Sequence, residues 1–216
     1  MMNRLVALPA AVALAFAGTV GLQAQDAPEM PGQAEVSRVT AGTYATDPAH
    51  SIIGWQVSHF GFNDYFGQFG DAEGTLNIDP DNLSAAAVDI TVPITSVAVV
   101  SEGLADHLLR AGEDGADPDF FGPSPAPARF ISTSVNPIGP MEAVVTGNLT
   151  MNGTTQPVSI LTTFTGAGDN PMSGAETIGF HGRTTISRSD FGVDYAVPFV
   201  SDEVELTISV AFEKQD

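Results

Sequence analysis

The chain has 216 residues, of which 43% are hydrophobic, enough for one large β domain or two small ones. Its 26 acidic against 7 basic residues give a formal charge of −19, which argues against nucleic acid and anionic lipid surfaces as partners. Cysteine is absent, which excludes disulfides and a cysteine-linked lipid anchor and leaves stability to packing.

The chain opens with "MMNR", a short basic start, followed by "LVALPAAVALAFA", an apolar run. The run is shorter than the ~20 residues of a membrane helix and has the length of a signal-peptide core. Residues 1–24 are therefore expected to be a signal peptide cut after Ala24, with the mature protein periplasmic or secreted. Residues 25–42 ("QDAPEMPGQAEVSRVTAG") are rich in Pro, Gly and Gln and poor in large apolar groups, which predicts a flexible arm.

From Thr43 onward short alternating runs of Val, Ile, Thr and Phe recur between Gly, Pro, Asn and Asp, the pattern of antiparallel strands. The runs are His50–His59, Gly67–Asp79, Ala85–Ile94, Arg129–Val135, Ala143–Met151, Val158–Thr165 and Thr177–Ser187. The last, "EVELTISVAFE", is the clearest. Val204, Leu206, Ile208, Val210 and Phe212 share one face, and Glu203, Glu205, Thr207, Ser209 and Glu213 share the other. "NGTT" at 152–155 predicts a tight hairpin. One helix is predicted over 101–112, where Leu104, Leu108 and Leu109 lie near one face and Gly112 can stop it. Eight strands with one apolar face each tend to close, because closure removes sheet edges. The predicted fold is all-β: an eight-stranded antiparallel lipocalin-like barrel over 43–216, with one helix packed against it. A barrel of this size is filled by its own side chains or holds one ligand.

Catalytic grammar is sparse. HExxH, G-x-S-x-G, G-x-G-x-x-G and P-loop patterns are all absent, and no two His stand at metal-ligand spacing. The acidic stretch 113–119 ("EDGADPD") lacks the order of an EF-hand and reads as a solvated loop. His50 is expected to hydrogen-bond a turn. His59 lies on the inward side of its strand with Ile53, Trp55 and Val57, either as a satisfied core group or as a polar contact for a ligand head group. Thirteen Phe with so little catalytic grammar fit either a self-filled barrel or an apolar binding cavity.

Four stretches in order resemble the YceI-like family of polyisoprenoid-binding, lipocalin-like proteins. They are "YATDPAHSIIGWQVSHFGFNDYFGQFGDAEGTLNID", "ADHLL" ahead of "DFF" and "ARFIST", "VTGNLTMNGTTQPVSI", and "ISRSDFGV" ahead of "SDEVELTISVAFE". The resemblance implies an exported barrel with an elongated apolar tunnel for an isoprenoid chain, a quinone-like lipid or a fatty amide, with no catalytic residues, cofactor or metal. Carried onto this chain, the lining begins with Ile53, Trp55, Val57 and His59, with Phe66, Phe69 and Leu76 following. Phe121, Phe130, Leu149 and Phe164 continue it, then Phe180, Ile186, Phe191 and Ile208. Two features depart from the family pattern: Ala105 stands where an Arg is usual, and the acidic segment lengthens the loop after the helix. The expected partner is a long-chain lipid, with no nucleic acid, no integral membrane segment, and a homodimer left open. The alternatives are an enzyme using His59 or His50 with a carboxylate, and a ligand-free structural barrel.

Overall fold

The computed structural model describes residues 29–215; the predicted signal peptide lies outside the described residues. The strands are β1 (Gly42–Thr46), β2 (Ile52–His59), β3 (Asn63–Phe69), β4 (Glu73–Ile78) and β5 (Ala87–Val92). After helix α1 (Glu102–Leu109) come β6 (Ala128–Pro137), β7 (Glu142–Met151), β8 (Thr154–Asp169), β9 (Glu176–Ser187) and β10 (Glu203–Lys214).

All pairings are antiparallel, in the order β1-β4-β5-β6-β7-β8-β9-β10, and a β1–β10 pairing closes the ring. The β2–β3 hairpin continues two of the eight staves rather than adding new ones. Strand β10 pairs β1 near its C-terminus (Thr46↔Phe212) and β2 further back (Ile53↔Ile208). Likewise β1 pairs β4 and β2 pairs β3. The eight-stranded closed barrel expected from the sequence is thus present, with two staves interrupted.

The interruptions have local causes. Between β1 and β2, Pro48 starts a 3₁₀ turn, and the Asp47 carboxylate accepts from the Ala49 amide at 3.1 Å and meets His50 Nδ1 at 2.6 Å. The gap is stitched to β10 by the Asp47 amide, which donates to the Ala211 carbonyl at 2.9 Å. Between β3 and β4, Asp71 takes a left-handed φ of 52°. The single strand expected over Gly67–Asp79 is therefore two, and β1 is a strand that the alternation did not reveal. The predicted tight hairpin is present: Met151 pairs Thr154 across Asn152 and Gly153, with φ of 49° and 77°, the conformation that Asn-Gly suits.

One end of the barrel is plugged. Val39, Tyr44, Leu76, Phe164, Ala167, Ile178 and Phe212 form a buried cluster. The Phe164, Phe180 and Phe212 rings meet edge to face at 5.8 and 6.2 Å. The segment read as a flexible arm is held against this end: Gln33 and Ala167 exchange backbone hydrogen bonds of 3.0 and 2.9 Å, and Val39 joins the cluster. Its few apolar residues are enough because backbone pairing to β8 supplies the rest.

Candidate functional site

Above the plug the barrel encloses a cavity of about 770 Å³, within the usual range of ligand sites. Alternation along each strand sends every second side chain into it. Ile53, Trp55, Val57 and His59 of β2 all line it, as their spacing predicted. So do Phe69, Leu76, Phe121, Phe130, Leu149, Phe180, Ile186 and Ile208. Leu206 and Ile208 are only half-buried despite pointing inward, because the lumen is wide enough for water to touch them.

Three residues assigned to the lining lie elsewhere. Phe66 is 59% exposed on the outer face of β3, where alternation places Tyr65, Gly67 and Phe69 inward. Phe164 belongs to the plug, buried and packed edge to face on Phe180. Phe191 is buried in the 3₁₀ turn Arg188–Phe191, under Asn152, whose side-chain amide donates to its carbonyl at 3.1 Å. In their place the cavity gains Phe60, Tyr65, Leu104, His107, Phe120 and Tyr195. Tyr65 was readable from its place opposite Val57 in the hairpin; the others sit in turns, the helix and loops, which carry no period.

Two large rings lie along the wall rather than across the lumen, because each covers a glycine of the next strand. A Cβ at Gly67 would fall 2.1 Å from Trp55 Cζ2, and one at Gly147 would fall 2.5 Å from Phe130 Cζ. A side chain at Gly67 would displace the Trp55 ring, and one at Gly147 would clash with the Phe130 ring and with the Ile131 carbonyl, also at 2.5 Å.

The end opposite the plug is bounded by α1 and the loops. Ser101 caps the helix, its hydroxyl accepting from the Leu104 amide at 3.3 Å, and Leu104 and Leu108 face the lumen. His107 Nε2 lies 2.6 Å from Asp119 Oδ2. Its ring meets those of Phe120 and Tyr195 edge to face at 5.1 and 5.2 Å, joining helix, acidic loop and the segment before β10. The His107 hydrogen bond, joined by Arg110, holds the Asp119 carboxyl below its ordinary value against the effect of burial.

Polar groups in the wall are few. Arg188 is buried, and its guanidinium donates to the carbonyls of Ser201, Val193 and Val200 at 2.9, 2.7 and 3.0 Å. Burial pulls its pKa down from the ordinary value, opposed by Asp202 and Asp194. Three of its five N–H groups tie the loop to the barrel. Trp55 Nε1 and the Tyr65 hydroxyl are buried without a hydrogen-bond partner, and their rings stack at 6.3 Å. Neither His of the enzyme alternative meets a carboxylate inside the cavity among the described residues. His50 faces its own turn carboxylate outside the cavity, and His59 has no carboxylate within 4.0 Å among the described residues. Among the same residues no group of three or more His, Asp or Glu is placed to hold a metal.

The YceI-like domain model matches residues 44–212, from within β1 to within β10, and so spans the residues that line the cavity. A UPF0312 protein of Pseudomonas aeruginosa is 38% identical over 162 residues, covering 74% of this chain and 80% of that one. The chain belongs to the YceI-like family. Among solved structures, Burkholderia cenocepacia BcnA superposes with a TM-score of 0.62 at 23% identity, covering 77% of this chain and 98% of its own. The polyisoprenoid binding domain of Saccharophagus degradans, implicated in plant cell wall breakdown, gives 0.57 at 12% identity, covering 80% and 98%. At those identities the likeness is one of fold: a YceI-like barrel with one helix. Among the described residues, no helix of this YceI-like chain is long and apolar enough to cross a membrane.

Proposed function

We propose that this YceI-like protein is an exported carrier that holds a long apolar chain, such as a polyisoprenoid, an isoprenoid quinone or a fatty amide, inside its barrel. The cavity carries the reading. A partly open space of about 770 Å³ is left unfilled by the protein's own side chains, enough for one apolar ligand. Walls lined mainly by Ile, Val, Leu and Phe offer water few partners, whereas each buried CH₂ of a ligand contributes ~0.8 kcal/mol. Such a site selects by length and width more than by chemistry, and immobilising the chain offsets part of the gain.

The family and the polyisoprenoid-binding Saccharophagus neighbour support the same reading. The basic start and apolar run within residues 1–24 support export, and no metal or cofactor is invoked. The test is native mass spectrometry of protein expressed from Gln25 and purified without detergent. The expected result is a stoichiometric mass excess that extracts as a prenyl, quinone or amide lipid. A bare mass that stays unchanged after incubation with long-chain isoprenoids would overturn the carrier.

A further inference from the structure

Exposed aromatic residues gather at the mouth of the cavity. The β2–β3 turn carries Phe60 and Phe62, 50% and 89% exposed, and the loop before β10 brings up Phe199, 66% exposed. The Phe60 amide donates to the Phe199 carbonyl at 2.7 Å, and the two rings stack at 6.1 Å. Phe60 also lines the cavity and packs edge to face on His59 at 4.6 Å. Tyr195 likewise belongs to both wall and surface. Apolar surface therefore runs unbroken from the lumen to the outside.

The turn holds this arrangement against a backbone preference. Phe60 has a φ of 53°, a region that bulky residues avoid. It is kept there by its bond to Phe199 and by the Phe62 amide donating to the His59 carbonyl at 3.1 Å. Strain of this kind is maintained where the surroundings over-determine it, and it clusters at working surfaces.

We propose that this rim docks on an electrically neutral lipid bilayer, where the carrier collects or delivers its ligand. The inference rests on the carrier reading: a long apolar chain has its reservoir in a membrane, and the rim continues the surface that would hold it. Aromatic rings are suited to the boundary between headgroups and acyl chains. The charge fits neutral headgroups. Asp64 and Asp194 flank the rim, Arg188 beside it is buried and engaged, and the chain as a whole is at −19. A second copy seated on the same rim would set mouth against mouth and shut both cavities.

The test is flotation with phosphatidylcholine vesicles, using the chain from Gln25 and a Phe62→Ser/Phe199→Ser variant. Neither of these residues lines the cavity. The wild type is expected to float, and the variant to partition at least about tenfold more weakly, since each exposed ring contributes on that scale. Added anionic lipid should weaken flotation of the wild type and added salt should restore it. Both proteins should bind geranylgeraniol from free solution alike, while the variant takes it up from vesicles more slowly. A wild type that stays with the dense fraction, or a variant that matches it in flotation and uptake, overturns the proposal. So does a variant that merely turns a dimer into a monomer. If both proteins fail to bind geranylgeraniol while the wild type alone floats, the rim stands and the carrier reading falls.

Discussion

Tyr44 and Tyr65 both point into the barrel, from strands that alternate in the same way, yet their hydroxyls meet opposite conditions. At the plugged end, the Tyr44 hydroxyl donates to Glu176 at 2.6 Å and lies 2.7 Å from the Thr40 carbonyl. Glu176 also accepts from the Thr40 amide and hydroxyl at 2.8 and 2.6 Å, and Lys214 lies 3.7 Å away. At the cavity end, the Tyr65 hydroxyl has no partner. One end has its polar groups paired and its lumen filled by rings. The other leaves the lumen open and the polar atoms of Trp55 and Tyr65 unpaired. Stability is thus concentrated at the plug, and the cavity walls are held up by hydrogen bonding between strands and by the plug beneath them.

The largest effect should separate two residues of β10. Phe212 is buried in the plug and forms part of the floor of the lumen, whereas Ile208, four residues back on the same face, is only half-buried along its wall. Phe212→Ala is expected to destabilise the ligand-free protein by ~3–5 kcal/mol in urea unfolding. Ile208→Ala removes a side chain that already faces open space and is expected to cost under ~2 kcal/mol. Equal losses would mean that the cavity is collapsed in solution and the contrast between the ends is false.

The two tyrosines come next. Tyr44→Phe removes a hydrogen bond to a carboxylate and is expected to cost ~1.5–3 kcal/mol. Tyr65→Phe removes a hydroxyl that was buried unpaired and is expected to be neutral or slightly stabilising. A Tyr65→Phe loss as large as that of Tyr44→Phe would show that the hydroxyl has found an acceptor in solution.

The contrast also explains what could be read before folding. Period two places Ile53, Trp55, Val57 and His59 on one face and carries Leu206, Ile208 and Phe212 together, so the barrel and most of its wall follow from local alternation. Alternation does not say how deep a residue lies. Phe164 has the same inward signature as Phe180, its partner in register, but it belongs to the plug cluster with Val39, beside the Gln33–Ala167 backbone contact. That contact spans more than a hundred residues and leaves no local trace. Strand β1, with Gly42, Thr43 and Ala45 around a single Tyr, has too little apolar contrast to register. Phe66 shows the opposite failure: a large apolar side chain suggests a lining role, while its even position in β3 puts it outside.

Acid should act on the plug first. Burial pushes the Glu176 carboxyl up, but hydrogen bonds from the Thr40 side chain, Tyr44 and the Thr40 amide, with the Lys214 charge, outweigh it. The net value falls below the ordinary 4.5. A depressed carboxylate contributes stability that is complete above its unfolded-state value and is lost as pH falls through the folded one. Urea midpoints should therefore decline below about pH 4.5, and Glu176→Gln should flatten that decline while lowering stability at neutral pH. The Trp55 signal from the cavity end should follow only when the plug gives way. An acid transition seen by Trp55 before any loss of stability would reverse the order of the two ends.

The smallest expected effect tests the cover of the cavity rather than its floor. The Ser101 hydroxyl accepts from the Leu104 amide at the start of α1, and Leu104 and Leu108 border the lumen. Ser101→Ala should cost about 1 kcal/mol of helix stability. Because α1 does not belong to the ring of strands, that loss should appear locally, as faster amide exchange over 102–109, with the global urea midpoint nearly unchanged. If α1 covers the route by which a ligand leaves, the same variant should release bound geranylgeraniol several-fold faster. Faster exchange without faster release would place the exit at the aromatic rim of Phe60 and Tyr195, and leave α1 as a fixed part of the wall.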